Sequence, residues 1–144
     1  MITLQWTIKR MALIAVATAM WADVTSAAGA FAEARPSDIA AKGYSFGSAF
    51  NFKTQEEASA AALARCRDSK SEERRNLCKV VVVFWGQCIA VAMDPKDGTP
   101  GVGWAVAGTQ KQAERQALGQ CGETAGADRR AFCVVNKGAG CDAK

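Results

Sequence analysis

Cys66 and Cys78 are separated by 11 residues, and the same spacing returns at Cys121 and Cys133, 55 positions further on. Sliding the chain by 55 from Thr54 to Val80 gives ten identities in 27 positions. They are Thr54/Thr109, Gln55/Gln110, Ala58/Ala113, Ala62/Ala117, Leu63/Leu118, Cys66/Cys121, Arg74/Arg129, Arg75/Arg130, Cys78/Cys133 and Val80/Val135. Allowing one gap, Gly47-Ser48-Ala49-Phe50 aligns with Gly103-Trp104-Ala105-Val106. A fixed period of this kind marks a repeated supersecondary unit. The two units run over about 43–91 and about 100–144, and a chain of 144 residues has room for one domain containing both.

Each unit reads the same way. A short strand comes first, Tyr44 to Phe50 and Val102 to Ala107. Thr54-x-x-Glu57 and Thr109-x-x-Gln112 then open a helix, because the Thr oxygen takes an orphan N–H of the first turn. Ala58, Ala62, Leu63 and Cys66 fall on one helical face, as do Ala113, Ala117, Leu118 and Cys121, and small residues there let a helix lie close on a sheet. A polar loop leads to a second strand, Lys79 to Phe84 and Phe132 to Asn136. The first unit continues into a strand from Gln87 to Met93. The run Val80–Val83 is apolar on both faces and predicts a central, buried strand. The resulting order is β-α-β-β-β-α-β: an α+β fold with a mainly antiparallel sheet and two helices, its two units packed about a pseudo-twofold axis.

The six cysteines read as three disulfides. The repeat pairs Cys66 with Cys78 and Cys121 with Cys133, each tying a helix end to the following strand. Cys88 and Cys141 remain, late in the two units, and are expected to staple the halves together. A metal centre does not fit: the chain has no Cys-x-x-Cys and no histidine. No cofactor motif is present either.

Ahead of the repeats, Lys9 and Arg10 precede an uncharged stretch from Met11 to Ala22, and small residues follow Asp23. This is the order of a cleavable secretory signal over 1–28, too short to span a bilayer. Residues 29–42, broken by Arg35-Pro36-Ser37-Asp38, are expected to form a flexible linker ahead of the single repeat domain at 43–144.

The chemistry is sparse. With no histidine, triads and histidine acid–base catalysis are excluded. The acids Glu56, Glu57, Glu72, Glu73, Asp94, Asp97, Glu114, Glu123 and Asp128 offer no evident pair for glycoside hydrolysis. The charge of +4, from 18 basic and 14 acidic residues, is mixed along the chain and does not suggest nucleic-acid binding. Two features remain as partner contacts. Arg74-Arg75 and Arg129-Arg130 recur in register, with loop solvation and pairing to Glu72, Glu73 and Asp128 as the plainer reading. Trp85 stands beside a turn and Trp104 on a strand; each either fills the core or forms an aromatic contact.

Taken together, Ala62-Leu63-Ala64-Arg65-Cys66, Cys78-Lys79-Val80-Val81, Cys88-Ile89-Ala90-Val91-Ala92, Gly101-Val102-Gly103-Trp104, Ala117-Leu118-Gly119-Gln120-Cys121 and Cys133-Val134-Val135 resemble the domain of unknown function 4189 family of small exported bacterial proteins. The likeness covers roughly Gly43 to Cys141. It implies export to the periplasm or beyond and a disulfide-bonded α+β domain, and it brings no catalytic residues. The expected function is that of a non-catalytic interaction module for a protein or cell-envelope component, without a membrane span after signal cleavage. A small-ligand or glycan-binding domain using Trp85 or Trp104 is the second reading, and a carboxylate-based hydrolase the third.

Overall fold

The structure is a computed structural model that describes residues 27–143. The segment read as a secretory signal lies outside the described residues up to position 26. The chain runs β1 (Ala28–Ala34), α1 (Ile39–Lys42), β2 (Ser45–Phe52), α2 (Gln55–Cys66), α3 (Glu72–Leu77), β3 (Lys79–Trp85), β4 (Cys88–Met93), β5 (Val102–Ala107), α4 (Gln110–Ala125), a short 3-10 turn at Arg130–Phe132, β6 (Val134–Val135) and β7 (Gly140–Cys141). The fold is α+β and antiparallel throughout its pairings.

The strands form two sheets. The first has the order β2-β1-β3; the second has the order β5-β4-β6, with β7 also beside β4. Side-chain size explains how they stack. On β1, Ala28, Ala30, Ala32 and Ala34 point one way and pack with Ala58, Ala62 and Cys66 of α2. On β4, Cys88, Ala90 and Ala92 do the same against Ala113, Ala117 and Cys121 of α4. The opposite faces carry the large residues, and Phe31, Phe84, Ile89 and Val91 form the layer between the sheets. The molecule is therefore layered helix, sheet, sheet, helix. Small residues let each helix approach its sheet, and aromatic and branched residues fill the centre.

The closest approach is made at glycine. A Cβ on Gly47 would strike the Ala62 carbonyl and the Cys66 backbone nitrogen; one on Gly103 would strike the same groups of Ala117 and Cys121. Both helices start as the capping pattern predicts, with Thr54 Oγ1 accepting from Glu57 N at 3.2 Å and Thr109 Oγ1 from Gln112 N at 3.3 Å. The disulfides are Cys66–Cys78, Cys88–Cys141 and Cys121–Cys133.

Four expectations need correction. Residues 29–42 are not a linker. Ala28–Ala34 is the central strand of the first sheet, buried along its whole length, and α1 follows it, capped by Asp38. The domain thus begins at β1 and not at residue 43. Second, β4 belongs with β5 and not with the unit that precedes it. Third, Cys88 and Cys141 face each other on neighbouring strands of one sheet, so their bond does not cross between the halves. The inter-sheet layer joins the halves, helped by Ser48 Oγ donating to the Gly138 carbonyl. Fourth, β3 is an edge strand, for the reason developed next.

Candidate functional site

β3 pairs with β1 on one side and, among the described residues, with no strand on the other. Its sequence, Lys-Val-Val-Val-Val-Phe-Trp, ends in Trp85, which is 51% exposed. Val80 to Val83 are half-buried because their inner faces meet the helix layer or the inter-sheet layer. Four consecutive valines suggested burial on both faces; they achieve it above and below the sheet while the backbone edge stays open. An unpaired edge presents a row of N–H and C=O groups able to bond an added strand. The register with β1 shifts between Phe31 and Ala32, placing an extra residue near Val81, and Lys79 stands at the start. A bulge and a lysine both discourage promiscuous pairing. The regular stretch Val82–Trp85 lacks those features.

Three of the four recurring arginines are held by polar contacts within the fold. Arg74 donates to Ser69 Oγ at 3.0 Å and to the Lys42 carbonyl at 2.6 Å, holding the loop after α1. Arg75 donates to the Ser69 carbonyl at 2.9 Å. Arg129 makes a two-pronged ion pair with Asp94, both contacts at 2.6 Å, and its guanidinium lies over the Phe132 ring. Arg130 lies against Gly122 of α4. Neither arginine pair uses the acids expected for it: Glu73 instead bonds Lys42 at 2.7 Å and raises that ammonium's pKa. Asp94, with no exposed side-chain surface, is held at about 2 chiefly by the Arg129 hydrogen bonds. A cavity of about 240 Å3 sits at this end of the sandwich, lined by Tyr44, Arg74, Asp94 and the 96–99 turn. Of its charged lining groups, Arg74 and Asp94 are already engaged.

A second cleft, of about 480 Å3, lies along the outer edge of β5. Trp104 is half-buried there. Its ring packs on Phe31 with centroids 5.0 Å apart, so Trp104 serves the core and also lines the cleft. Gln120 of α4 accepts from the Trp104 backbone N–H at 3.3 Å, and Thr124 bonds both backbone groups of Val102. Helix side chains therefore cover the β5 edge where the β3 edge is bare.

Glu33 completes the cleft. It is only 7% exposed and takes the Tyr44 hydroxyl on Oε2 at 2.6 Å, with Arg35 Nε 3.4 Å from the same oxygen. Burial, then the neighbouring carboxylate, pushes the Tyr44 phenol well above its ordinary pKa, so it stays a donor. Glu33 and Arg35 were missed in the sequence because their segment reads as a linker. The signal was present in the alternation Ala28-Gly-Ala-Phe-Ala-Glu-Ala34, which matches Cys88-Ile-Ala-Val-Ala-Met93 of β4.

Compared with known proteins, the chain matches one family model, Domain of unknown function (DUF4189), over residues 28–139. The match begins at β1, where the structure also places the start of the domain. No curated protein and no solved structure matches the chain.

Proposed function

We propose that this chain, which belongs to the DUF4189 family, acts as an exported, non-catalytic interaction module that binds a protein or envelope partner along the open edge of β3. The observation that carries this reading is the seven-residue strand, apolar after Lys79, that has no strand on one edge among the described residues and ends in a half-exposed tryptophan. A partner segment that adds a strand there gains main-chain hydrogen bonds, and Trp85 supplies a large apolar anchor. Three disulfides suit an oxidising compartment outside the cytoplasm. Among the described residues, no helix is long and apolar enough to cross a membrane. A binding role rather than catalysis is supported by Asp94, whose two carboxylate oxygens are both held by Arg129.

The test is a photo-reactive residue in place of Trp85, with a control at exposed Ala60 on α2. Cross-linked species from envelope extract are expected at position 85 and not at position 60. The same products from both positions, or none from position 85, contradict the reading.

The second reading, binding of a small ligand or glycan, is favoured by one observation: the polar cleft that Trp104 and Glu33 share.

A further inference from the structure

We infer that the cleft along β5 is a carbohydrate site, which takes a neutral oligosaccharide by stacking a sugar ring on Trp104 and bonding its hydroxyls to Glu33, Gln116 and Gln120. The inference rests on the small-ligand reading and gives it a place and a ligand class.

Size and lining agree with this. The cleft's volume of about 480 Å3 falls within the roughly 300–1,000 Å3 of small-ligand sites. Packing against Phe31 fixes the indole of Trp104, so little side-chain entropy is left to lose on binding. Gln120 has committed its oxygen to the Trp104 N–H, which leaves its amide nitrogen as a donor. Gln116 lies one helical turn earlier, exposed, and offers both a donor and an acceptor. On Glu33 both contacts fall on Oε2; Oε1 has no hydrogen-bond partner among the described residues and is a free acceptor in the cleft lining.

The donor and acceptor set selects the ligand. Glu33 and Arg35 cancel in formal charge and the two glutamines are neutral, so the cleft has no net charge with which to attract an ion. A purely apolar ligand would cover the carboxylate and the amides without bonding them, which is unfavourable. A polyhydroxylated ring meets both demands, because each hydroxyl donates and accepts while the ring's C–H face lies on the indole.

The experiment titrates the purified, oxidised protein with cellotriose, maltotriose and chitotriose, followed by tryptophan fluorescence and by calorimetry. At least one sugar is expected to bind saturably, with the fluorescence change retained in Trp85→Phe and lost in Trp104→Ala. Because Trp104→Ala also disturbs Phe31, Gln116→Ala and Glu33→Gln are measured beside it; each is expected to weaken binding roughly tenfold. No saturable signal with any of the three sugars overturns the inference together with the small-ligand reading. Saturable binding that is insensitive to Gln116→Ala and Glu33→Gln, or a response carried by Trp85, overturns the site and leaves that reading standing. Tighter binding of trigalacturonate that disappears in Arg35→Gln overturns the neutral class.

Discussion

In the first half of the molecule, β3 runs beside β1 for seven residues with, among the described residues, no strand on its outer edge. In the second half, the corresponding side of β4 is taken by two strands of two residues each, β6 and β7, separated by Asn136, Lys137, Gly138 and Ala139. The rest of the two halves is closely alike: an alanine-faced strand at the centre, a glycine under the helix, and a disulfide from the helix end to the next strand. The broken edge is also tied down. Asn136 N donates to the Val91 carbonyl at 2.7 Å, Asp142 N to the Gln87 carbonyl at 2.9 Å, and Cys141 is bonded to Cys88. Asn51, in the left-handed region at φ 66, takes the Ala143 N–H on its side-chain oxygen and gives its own N–H to Asp142. This helix-on-sheet plan is therefore compatible with a short, protected terminal strand. The open edge of β3 is not demanded by packing, and that is why it is the candidate contact surface.

The largest effects should come from what the halves share. Gly47→Val or Gly103→Val drives a side chain into helix backbone, and either is expected to cost roughly 3 kcal/mol or more, with no soluble folded protein recovered in the worse case. Similar losses at both sites, measured by denaturant unfolding, would support equivalent packing; tolerance at one site would break the equivalence. Next come the disulfides. Replacing Cys88 and Cys141 by Ala frees a loop with a sequence separation of 53 and is expected to cost about 4 kcal/mol on the chain-entropy estimate. Replacing Cys66 and Cys78, separated by 12, is expected to cost about 3 kcal/mol. Equal or reversed costs would mean that native packing outweighs loop closure.

A smaller, pH-dependent difference separates the Arg129–Asp94 pair from the Lys42–Glu73 pair. Asp94 is held at about 2, below its ordinary 3.8, so its stabilisation is complete above that ordinary value and is lost as pH falls toward about 2. Asp94→Asn should lower Tm at neutral pH and flatten its decline in acid, while Glu73→Gln, at the exposed Lys42 pair, should barely change either. Matching acid profiles for wild type and Asp94→Asn would remove the ion pair from the account. The smallest stability effect is expected at Trp85. Trp85→Lys should change stability by less than about 0.5 kcal/mol yet weaken partner capture more than tenfold. Unchanged capture by the folded variant would separate Trp85 from the binding surface.

Much of this architecture can be read from the residues, and the failures have identifiable physical causes. The α2 and α4 starts follow from Thr54 and Thr109; two disulfide pairs follow from the 55-residue register, and the third joins the two cysteines that remain. β1 was lost because alanine is a poor strand former, and because Arg35-Pro36-Ser37-Asp38 resembles a linker whichever element precedes it. Pairing with β2 and β3 and burial against α2 and the inter-sheet layer make Ala28–Ala34 a strand, and these are tertiary effects. With β1 hidden, β3 had no neighbour to mark it as an edge, and Glu33 could not enter any site. Trp85 and Trp104 were both visible as contacts, but their sequence positions do not distinguish a strand-end anchor from a cleft wall.

Among the described residues, β3 keeps one edge free. Residue-resolved amide hydrogen exchange on the oxidised protein tests it without knowledge of a partner. Alternating fast and slow amides are expected along Val82–Trp85, against uniformly slow exchange at Cys88, Ile89, Ala92 and Met93 of β4, which pair with β5 on one side and with β7 or β6 on the other. Uniform protection through Val82–Trp85 in the isolated protein would mean that the edge is already occupied, and would contradict the account.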